Sequence, residues 1–298
     1  MNKIMPFVRC TGDGSPVICL HSSAASSRQW EPLMRQLDAK YRVMAPDLYG
    51  HGKSPAWPGA ARPSLAEEAA FIASLFDALP ERAHLVGHSY GGAIALKLAL
   101  MYPHRVRSVV LYEPVLFRLL LDRLPGHRST AEIISVAAAV RRAVDAGRPD
   151  VAAQGFIDYW TEQSAWAGMD AAQQRTIAER MGCVAGQFDA AFNDTTTMRD
   201  LALLELPMLY LSGAHSRAST RQITALLRKT LPQALFRELP VMGHMGPVSH
   251  AREVNALIES FLDAQPCPAT RQSATEFASD EYVDSLMRAA AAQARDTA

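Results

Sequence analysis

Strand-length runs alternate with amphipathic segments along most of the chain, and this alternation restricts the fold more than any other feature. The runs are VICL (17–20), VMA (43–45), HLV (84–86), VVLY (109–112), MLYL (208–211) and LFREL (235–239). Segments with helical periodicity lie between them, at 28–37, 64–79, 93–101, 220–231 and 251–262. Such alternation predicts an α/β fold with a mostly parallel central sheet and helices on both faces.

One interval breaks the alternation. Residues 115–206 have helical periodicity and contain no convincing strand, which predicts an inserted helical cap over one end of the sheet. We therefore expect the sheet domain to comprise residues 1–114 and 207–263. Residues 264–298 are interpreted as a linker and a C-terminal helix with Ser279 as its N-cap. Such a helix packs either on its own domain or on a second subunit, which leaves a homodimer open.

Composition excludes several classes of partner. The chain has 30 basic and 30 acidic side chains, so its bulk charge favours neither nucleic acid nor an anionic membrane, and we expect a small-molecule substrate. Its four cysteines lack C-x-x-C spacing, which predicts neither a zinc site nor a disulfide framework, and we expect no metal or cofactor. The N-terminus has no apolar stretch typical of a signal peptide, which favours a cytoplasmic protein.

A serine flanked by glycines follows one of the predicted strands. In HLVGHSYGG, the pattern G-x-S-x-G joins the strand at 84–86 to the helix at 93–101. A turn this tight leaves no room for Cβ atoms at Gly87 and Gly91, and it presents Ser89 at the carboxyl end of the sheet. Ser89 is therefore a candidate nucleophile. The alternative is a serine in an ordinary glycine-rich turn.

A serine nucleophile needs a base and a site for the oxyanion. His244, in the loop LPVMGHMGPVSH before the final helix, is the candidate base, and His250 is the alternative. The small residues of VICLHSSAASS predict an oxyanion hole formed by the backbone N–H groups of Ser23 and Tyr90. The serines of that loop could equally cap the helix that begins near Arg28.

Three segments together resemble the α/β-hydrolase superfamily: GHSYGG, APDLYGHGKS and GHMGP. The resemblance covers residues from about 5 to 263. It implies a nucleophile, acid and base in that chain order, and it implies that the helical interval is a cap over the active site. Within this superfamily, the serine nucleophile resembles the esterase and C–C hydrolase branch rather than the enzymes that use an aspartate.

The acid departs from the family's usual pattern. The loop GAHSRAST carries Ser216 at the usual acid position, and the next carboxylate is Glu238. Some α/β-hydrolases take their acid from the end of the preceding strand, where this chain has Glu113 in VVLYEPV. Glu113 is therefore the candidate acid. The alternatives are Asp194, another carboxylate, or no acid at all, with Glu113 lining the pocket or pairing with a cap arginine.

These residues predict acyl transfer to water on a carboxylic ester, thioester or lactone, through an acyl-enzyme on Ser89. Two alternatives stay open: hydrolysis of a C–C bond in a β-diketone-like substrate, and a ligand-binding receptor with an impaired triad. Aromatic residues recur at helical spacing in the cap, and they are Phe156, Tyr159, Trp160 and Trp166. This spacing favours a role in sealing the cap onto the sheet domain; the alternative is that one or two of them line an apolar pocket.

Overall fold

A seven-stranded sheet forms the centre of the protein. The computed structural model describes residues 4–59, 62–161 and 165–265. The strands are β1 (Val8–Thr11), β2 (Ser15–Leu20), β3 (Tyr41–Pro46), β4 (Ala83–His88), β5 (Val106–Tyr112), β6 (Met208–Gly213) and β7 (Leu235–Leu239). Their order in the sheet is β1-β3-β2-β4-β5-β6-β7, and every pair is parallel except β1 with β3. This confirms the α/β fold with a mostly parallel sheet.

The register of the central strands brings three loops together. Leu20 at the end of β2 pairs with Gly87 of β4, and Gly87 in turn pairs with Leu111 of β5. All six residues of β4 are buried, as expected for a parallel strand covered on both faces. The chain segments that follow β2, β4 and β5 therefore leave the same edge of the sheet side by side.

Helices cover both faces of the sheet. The sheet-domain helices are α1 (Glu31–Leu37), α2 (Leu65–Ala73), α3 (Tyr90–Met101), α10 (Ala218–Thr230), α11 (Gly246–Ser249) and α12 (Ala251–Asp263). Successive side chains of β2 alternate between two apolar clusters: Ile18 packs with α2 and α3, whereas Val17 and Cys19 pack with α1 and α12. This period of two is what a strand buried on both faces requires.

Six helices lie between β5 and β6, with no strand among the described residues of that interval. They are α4 (Phe117–Arg123), α5 (Arg128–Asp145), α6 (Pro149–Trp160), α7 (Ala171–Ala178), α8 (Met181–Phe192) and α9 (Met198–Ala202). We call them the helical insertion. Its buried side chains, including Phe117, Trp160 and Phe188, belong to the same apolar cluster as α2 and α3. The insertion therefore packs directly on one layer of the sheet domain.

Some local details differ from the sequence predictions. The pattern missed β1, a four-residue edge strand with half-buried and exposed side chains. The helix predicted from residue 93 begins at Tyr90, directly after Ser89. The predicted linker and C-terminal helix, apart from residues 264 and 265, lie outside the described residues. Within the described ranges, no helix combines the length and apolar character needed to cross a membrane.

Candidate active site

Ser89 sits in the turn between β4 and α3 with φ +56° and ψ −117°, a backbone conformation that residues with side chains rarely adopt. Two glycines make this turn sterically feasible. A Cβ on Gly87 would lie 2.5 Å from the carbonyl oxygen of Gly91, and one on Gly91 would lie 2.3 Å from that of Leu20. The N–H of Ser89 donates to the carbonyl of Tyr112 at 2.9 Å, which anchors the strained residue to the neighbouring strand.

His244 connects Ser89 to a carboxylate. Its Nε2 lies 2.9 Å from Oγ of Ser89, and its Nδ1 lies 2.8 Å from Oε2 of Glu113. All three side chains are buried. Because an ionised carboxylate can only accept, Nδ1 must carry the proton, and Nε2 is left free to accept from the serine hydroxyl. The structure thus brings together the three residues that the sequence nominated as nucleophile, base and acid.

Glu113 follows β5 directly, at φ +43°, and its N–H donates to the carbonyl of Leu211. Oε1 of its carboxylate accepts from the N–H of Gly213 at 2.8 Å and from the hydroxyl of Ser216. A buried carboxylate is costly unless several donors satisfy it, and here His244, Gly213 and Ser216 do so. The serine at the usual acid position therefore donates to a carboxylate that the neighbouring strand supplies.

The other candidates have different partners. Asp194 forms a buried ion pair with Lys97, whose Nζ also donates to Thr196. His250 hydrogen-bonds Ser249 through Nδ1, and Arg118 pairs with Asp122 at 2.8 Å rather than with Glu113. In the part of the chain that the structure describes, none of the hydrogen bonds of Asp194 or His250 reaches Ser89, His244 or Glu113.

Ser23 and Tyr90 line the same cavity as Ser89. Within the described ranges, neither backbone N–H has a hydrogen-bond acceptor in the protein. The carbonyl of Ser22 accepts from Nδ1–H of His21 at 2.8 Å, and because the peptide is trans, the N–H of Ser23 points to the opposite side. Nε2 of His21 accepts from the N–H of Leu48, which places the ring proton on Nδ1. Burial lowers the pKa of His21 to about 3, so the ring stays neutral.

Sequence comparison places the chain in a known family. A model of the α/β hydrolase fold family matches residues 15–251. The chain belongs to that family. It is 28% identical over 257 residues to a pimeloyl-[acyl-carrier protein] methyl ester esterase of Aeromonas hydrophila, covering 84% of this chain and 96% of that protein. It is likewise 28% identical over 266 residues to a 2-hydroxymuconate semialdehyde hydrolase of a Pseudomonas species, covering 85% and 88%.

A solved hydrolase structure from Pseudomonas aeruginosa aligns with a TM-score of 0.69 and 27% identity, covering 86% of this chain and 94% of that one. The family assignment confirms the resemblance carried by GHSYGG, APDLYGHGKS and GHMGP. The family model and the relatives named here match across the sheet domain and the helical insertion, so the likeness includes more than the turn around Ser89.

A second polar chain in this α/β hydrolase was not predicted from the sequence. Nε2–H of His88 donates to the carbonyl of His244 at 2.8 Å, and Nδ1 of His88 accepts from Nε2 of Gln29 at 3.1 Å. Oε1 of Gln29 accepts from the N–H and the hydroxyl of Ser22, each at 3.0 Å. Burial lowers the pKa of His88 well below its usual value, so the neutral ring can donate through one nitrogen and accept through the other.

We call the path Ser22–Gln29–His88–His244 the polar relay. It joins the loop that carries Ser23 to the backbone of the candidate base. Gln29 carries no signal in the sequence, because it contacts His88 across 59 positions of chain.

Aromatic side chains from the helical insertion form the opposite wall of the cavity. The side chains of this wall are those of Phe117, Phe156, Trp160 and Phe188. The ring of Trp160 lies 4.2 Å from that of His244, centroid to centroid. The structure therefore places Phe156 and Trp160 on the cavity wall, whereas Tyr159 lies under the guanidinium of Arg217 at 5.1 Å.

Proposed function

We propose that this α/β hydrolase is a serine esterase that cleaves a small carboxylic ester, thioester or lactone through an acyl-enzyme on Ser89. One observation carries the proposal: the continuous hydrogen-bonded path from Glu113 through His244 to Ser89, which opens on an apolar cavity. The esterase from Aeromonas, which matches across nearly its whole length, supports the same class of reaction.

In the proposed reaction, Oγ of Ser89 attacks the substrate carbonyl while Nε2 of His244 accepts the hydroxyl proton. Glu113 stabilises the imidazolium that results. The N–H groups of Ser23 and Tyr90 donate to the oxyanion of the tetrahedral intermediate. His244 then gives its proton to the leaving alcohol, thiol or ring oxygen. Water, deprotonated by His244, attacks the acyl-enzyme and releases the acid, which restores Ser89.

The helical insertion is proposed to act as the cap of this site. Its Arg180 donates through one nitrogen to the carbonyls of Ala24 at 2.6 Å and Ala25 at 3.0 Å, in the loop that carries Ser23. Its Trp160 covers the ring of His244. The cavity between cap and sheet is lined mainly by apolar and aromatic side chains, which suits an apolar acyl or alcohol group.

The pairing of Glu113 with Ser216 supports catalysis over the receptor alternative. A receptor with an impaired triad was considered because the usual acid is absent. The carboxylate of Glu113 supplies the missing charge at hydrogen-bond distance from His244. The proposed triad therefore has an acid although Ser216 occupies the usual acid position, and Ser216 hydrogen-bonds that acid.

Hydrolysis of p-nitrophenyl esters from acetate to decanoate tests the proposal. We expect the wild type to turn over the shorter esters and Ser89→Ala to be inactive, with both proteins melting at similar temperatures. A β-diketone-like substrate cleaved with a higher kcat/KM than any ester would assign the protein to C–C hydrolysis instead. A folded wild type that binds esters without hydrolysing them would favour the receptor.

A further inference from the structure

Gln187 is the one polar side chain on the cap wall of the cavity, as far as the described residues show. It lies on α8 between Val184 and Phe188, at a spacing that places all three on one helix face. Its side chain is buried, with the residue 5% exposed. Neither Oε1 nor Nε2 has a hydrogen-bond partner within the described ranges.

An unpaired buried amide is unusual, because most buried polar side chains find a partner and an orphaned one destabilises the fold. The other polar side chains that line the cavity, those of Ser23, Ser89 and Tyr90, belong to the sheet domain, and among the described residues none of them hydrogen-bonds Gln187. A leucine or methionine would fill the same position at less cost. The position therefore suits a partner that arrives with the substrate.

We propose that Gln187 is a specificity-determining residue that binds a neutral hydroxyl or primary amide group of the substrate. This inference rests on the proposed esterase function and names its substrate class. The amide of Gln187 needs both an acceptor for its N–H groups and a donor for its oxygen, and a hydroxyl or a primary amide supplies both. The rest of the bound group is apolar, to match the aromatic side chains of the wall.

A substrate carboxylate is excluded as the partner of Gln187. No charged side chain lines the cavity among the described residues. A carboxylate at Gln187 would accept from its N–H groups but would leave a negative charge in an apolar site without a cation. A ketone would satisfy the N–H groups and leave the oxygen of Gln187 unpaired.

Matched esters test this assignment. We would measure kcat/KM for p-nitrophenyl pentanoate, hexanoate and heptanoate, and for analogues in which a hydroxyl or a primary amide replaces the terminal methyl group. The proteins are the wild type, Gln187→Met, and Gln154→Met as a control at an exposed glutamine of α6. For at least one chain length, Gln187→Met should lower the ratio of polar-ended to methyl-ended kcat/KM by about tenfold, while Gln154→Met leaves it at the wild-type value. Comparison of the hydroxyl-ended esters with the amide-ended esters shows which of these two groups Gln187 binds.

A binding measurement keeps the test independent of catalysis. Methyl 6-hydroxyhexanoate and methyl heptanoate would be titrated into Ser89→Ala, with and without Gln187→Met, using the tryptophan fluorescence to which Trp160 in the cavity contributes. Gln187→Met should weaken the binding of methyl 6-hydroxyhexanoate by about tenfold relative to the binding of methyl heptanoate. Unchanged ratios in both experiments overturn the role of Gln187. If the binding ratio changes as expected but the wild type hydrolyses no ester, the role of Gln187 is upheld and the proposed function is rejected.

Discussion

The two walls of the cavity differ in how their polar groups are satisfied. On the sheet-domain wall, the side chains of Ser89, His244 and Glu113 are all hydrogen-bonded, and the donors without a partner among the described residues are the backbone N–H groups of Ser23 and Tyr90 and the hydroxyl of Tyr90. The insertion wall is aromatic and carries a buried amide without a partner. In the proposed function, the sheet domain supplies the chemistry and the insertion selects the substrate. Substitutions on the first wall should therefore slow every ester alike, whereas substitutions on the second should change the ranking of esters.

The largest effect is expected from the base and the nucleophile together. His244→Ala and Ser89→Ala should each lower kcat by about 10⁵- to 10⁶-fold, and the double variant should lose no more than either alone, because the two act as one unit. Steady-state kinetics on the best p-nitrophenyl ester measures this. Additive losses would mean that the residues do not share one proton transfer.

The polar relay offers the next test of the sheet-domain wall. Gln29→Met removes the contacts to Ser22 and His88 while keeping side-chain volume, so the loop of Ser23 and the backbone of His244 lose their common support. We expect kcat to fall by about tenfold or more with little change in KM, equally for all esters. A double-mutant cycle with His88→Phe should be non-additive. A rise in KM alone would show that the relay serves substrate binding instead.

Ser216 should have a smaller effect. Ser216→Ala removes one of three donors to the Glu113 carboxylate and leaves those from Gly213 and His244 in place. We expect kcat/KM to fall by about 3- to 30-fold, comparable to the loss of one charge-assisted hydrogen bond. Wild-type activity in Ser216→Ala would show that this hydroxyl does not help to hold the acid.

A buried carboxyl group of the sheet domain should make the stability of the protein depend on pH. Glu68 lies on α2, and burial raises the pKa of its carboxyl to about 8 from an ordinary value of 4.5. The folded protein then keeps a proton that the unfolded chain has lost, so the free energy of unfolding should fall by about 1.4 kcal/mol per pH unit between these values.

Glu68→Gln should remove this slope and make the protein more stable than wild type near pH 8, as measured by urea unfolding across the pH range. Glu238→Gln, at an exposed position of β7, is the matched control and should keep the wild-type slope. Equal slopes in the wild type and Glu68→Gln would reject this role for Glu68.

Local signals made the turn around Ser89 predictable. The strand, the two glycines and the following helix are contiguous in sequence, and the parallel sheet places the end of β5 beside that turn, which is why Glu113 could be nominated. The start of α3 was placed too late because Tyr90, Gly91 and Gly92 have weak helix propensity, whereas the turn itself imposes the helix. β1 escaped notice because a short edge strand need not be apolar.

Contacts between distant side chains could not be read from the sequence. Ser216 was recognised as a departure from the family pattern, but its hydroxyl reaches Glu113 across 103 positions of chain, and that contact depends on how two neighbouring strands end. The helical character of the insertion follows from its periodicity. Which face of α8 lines the cavity, and hence the place of Gln187 on its wall, depends on packing that periodicity alone does not determine.

The central claim is that Glu113 is the acid of a triad displaced from the usual position, and the rate of Ser89 labelling by a fluorophosphonate tests it most directly. Labelling would be followed by intact mass and mapped by peptide analysis in the wild type, Ser89→Ala, Glu113→Gln and Glu238→Gln. We expect a single label on Ser89, no label in Ser89→Ala, a rate lowered by about 10³- to 10⁴-fold in Glu113→Gln, and the wild-type rate in Glu238→Gln. Labelling of Glu113→Gln at the wild-type rate would contradict the assignment of the acid.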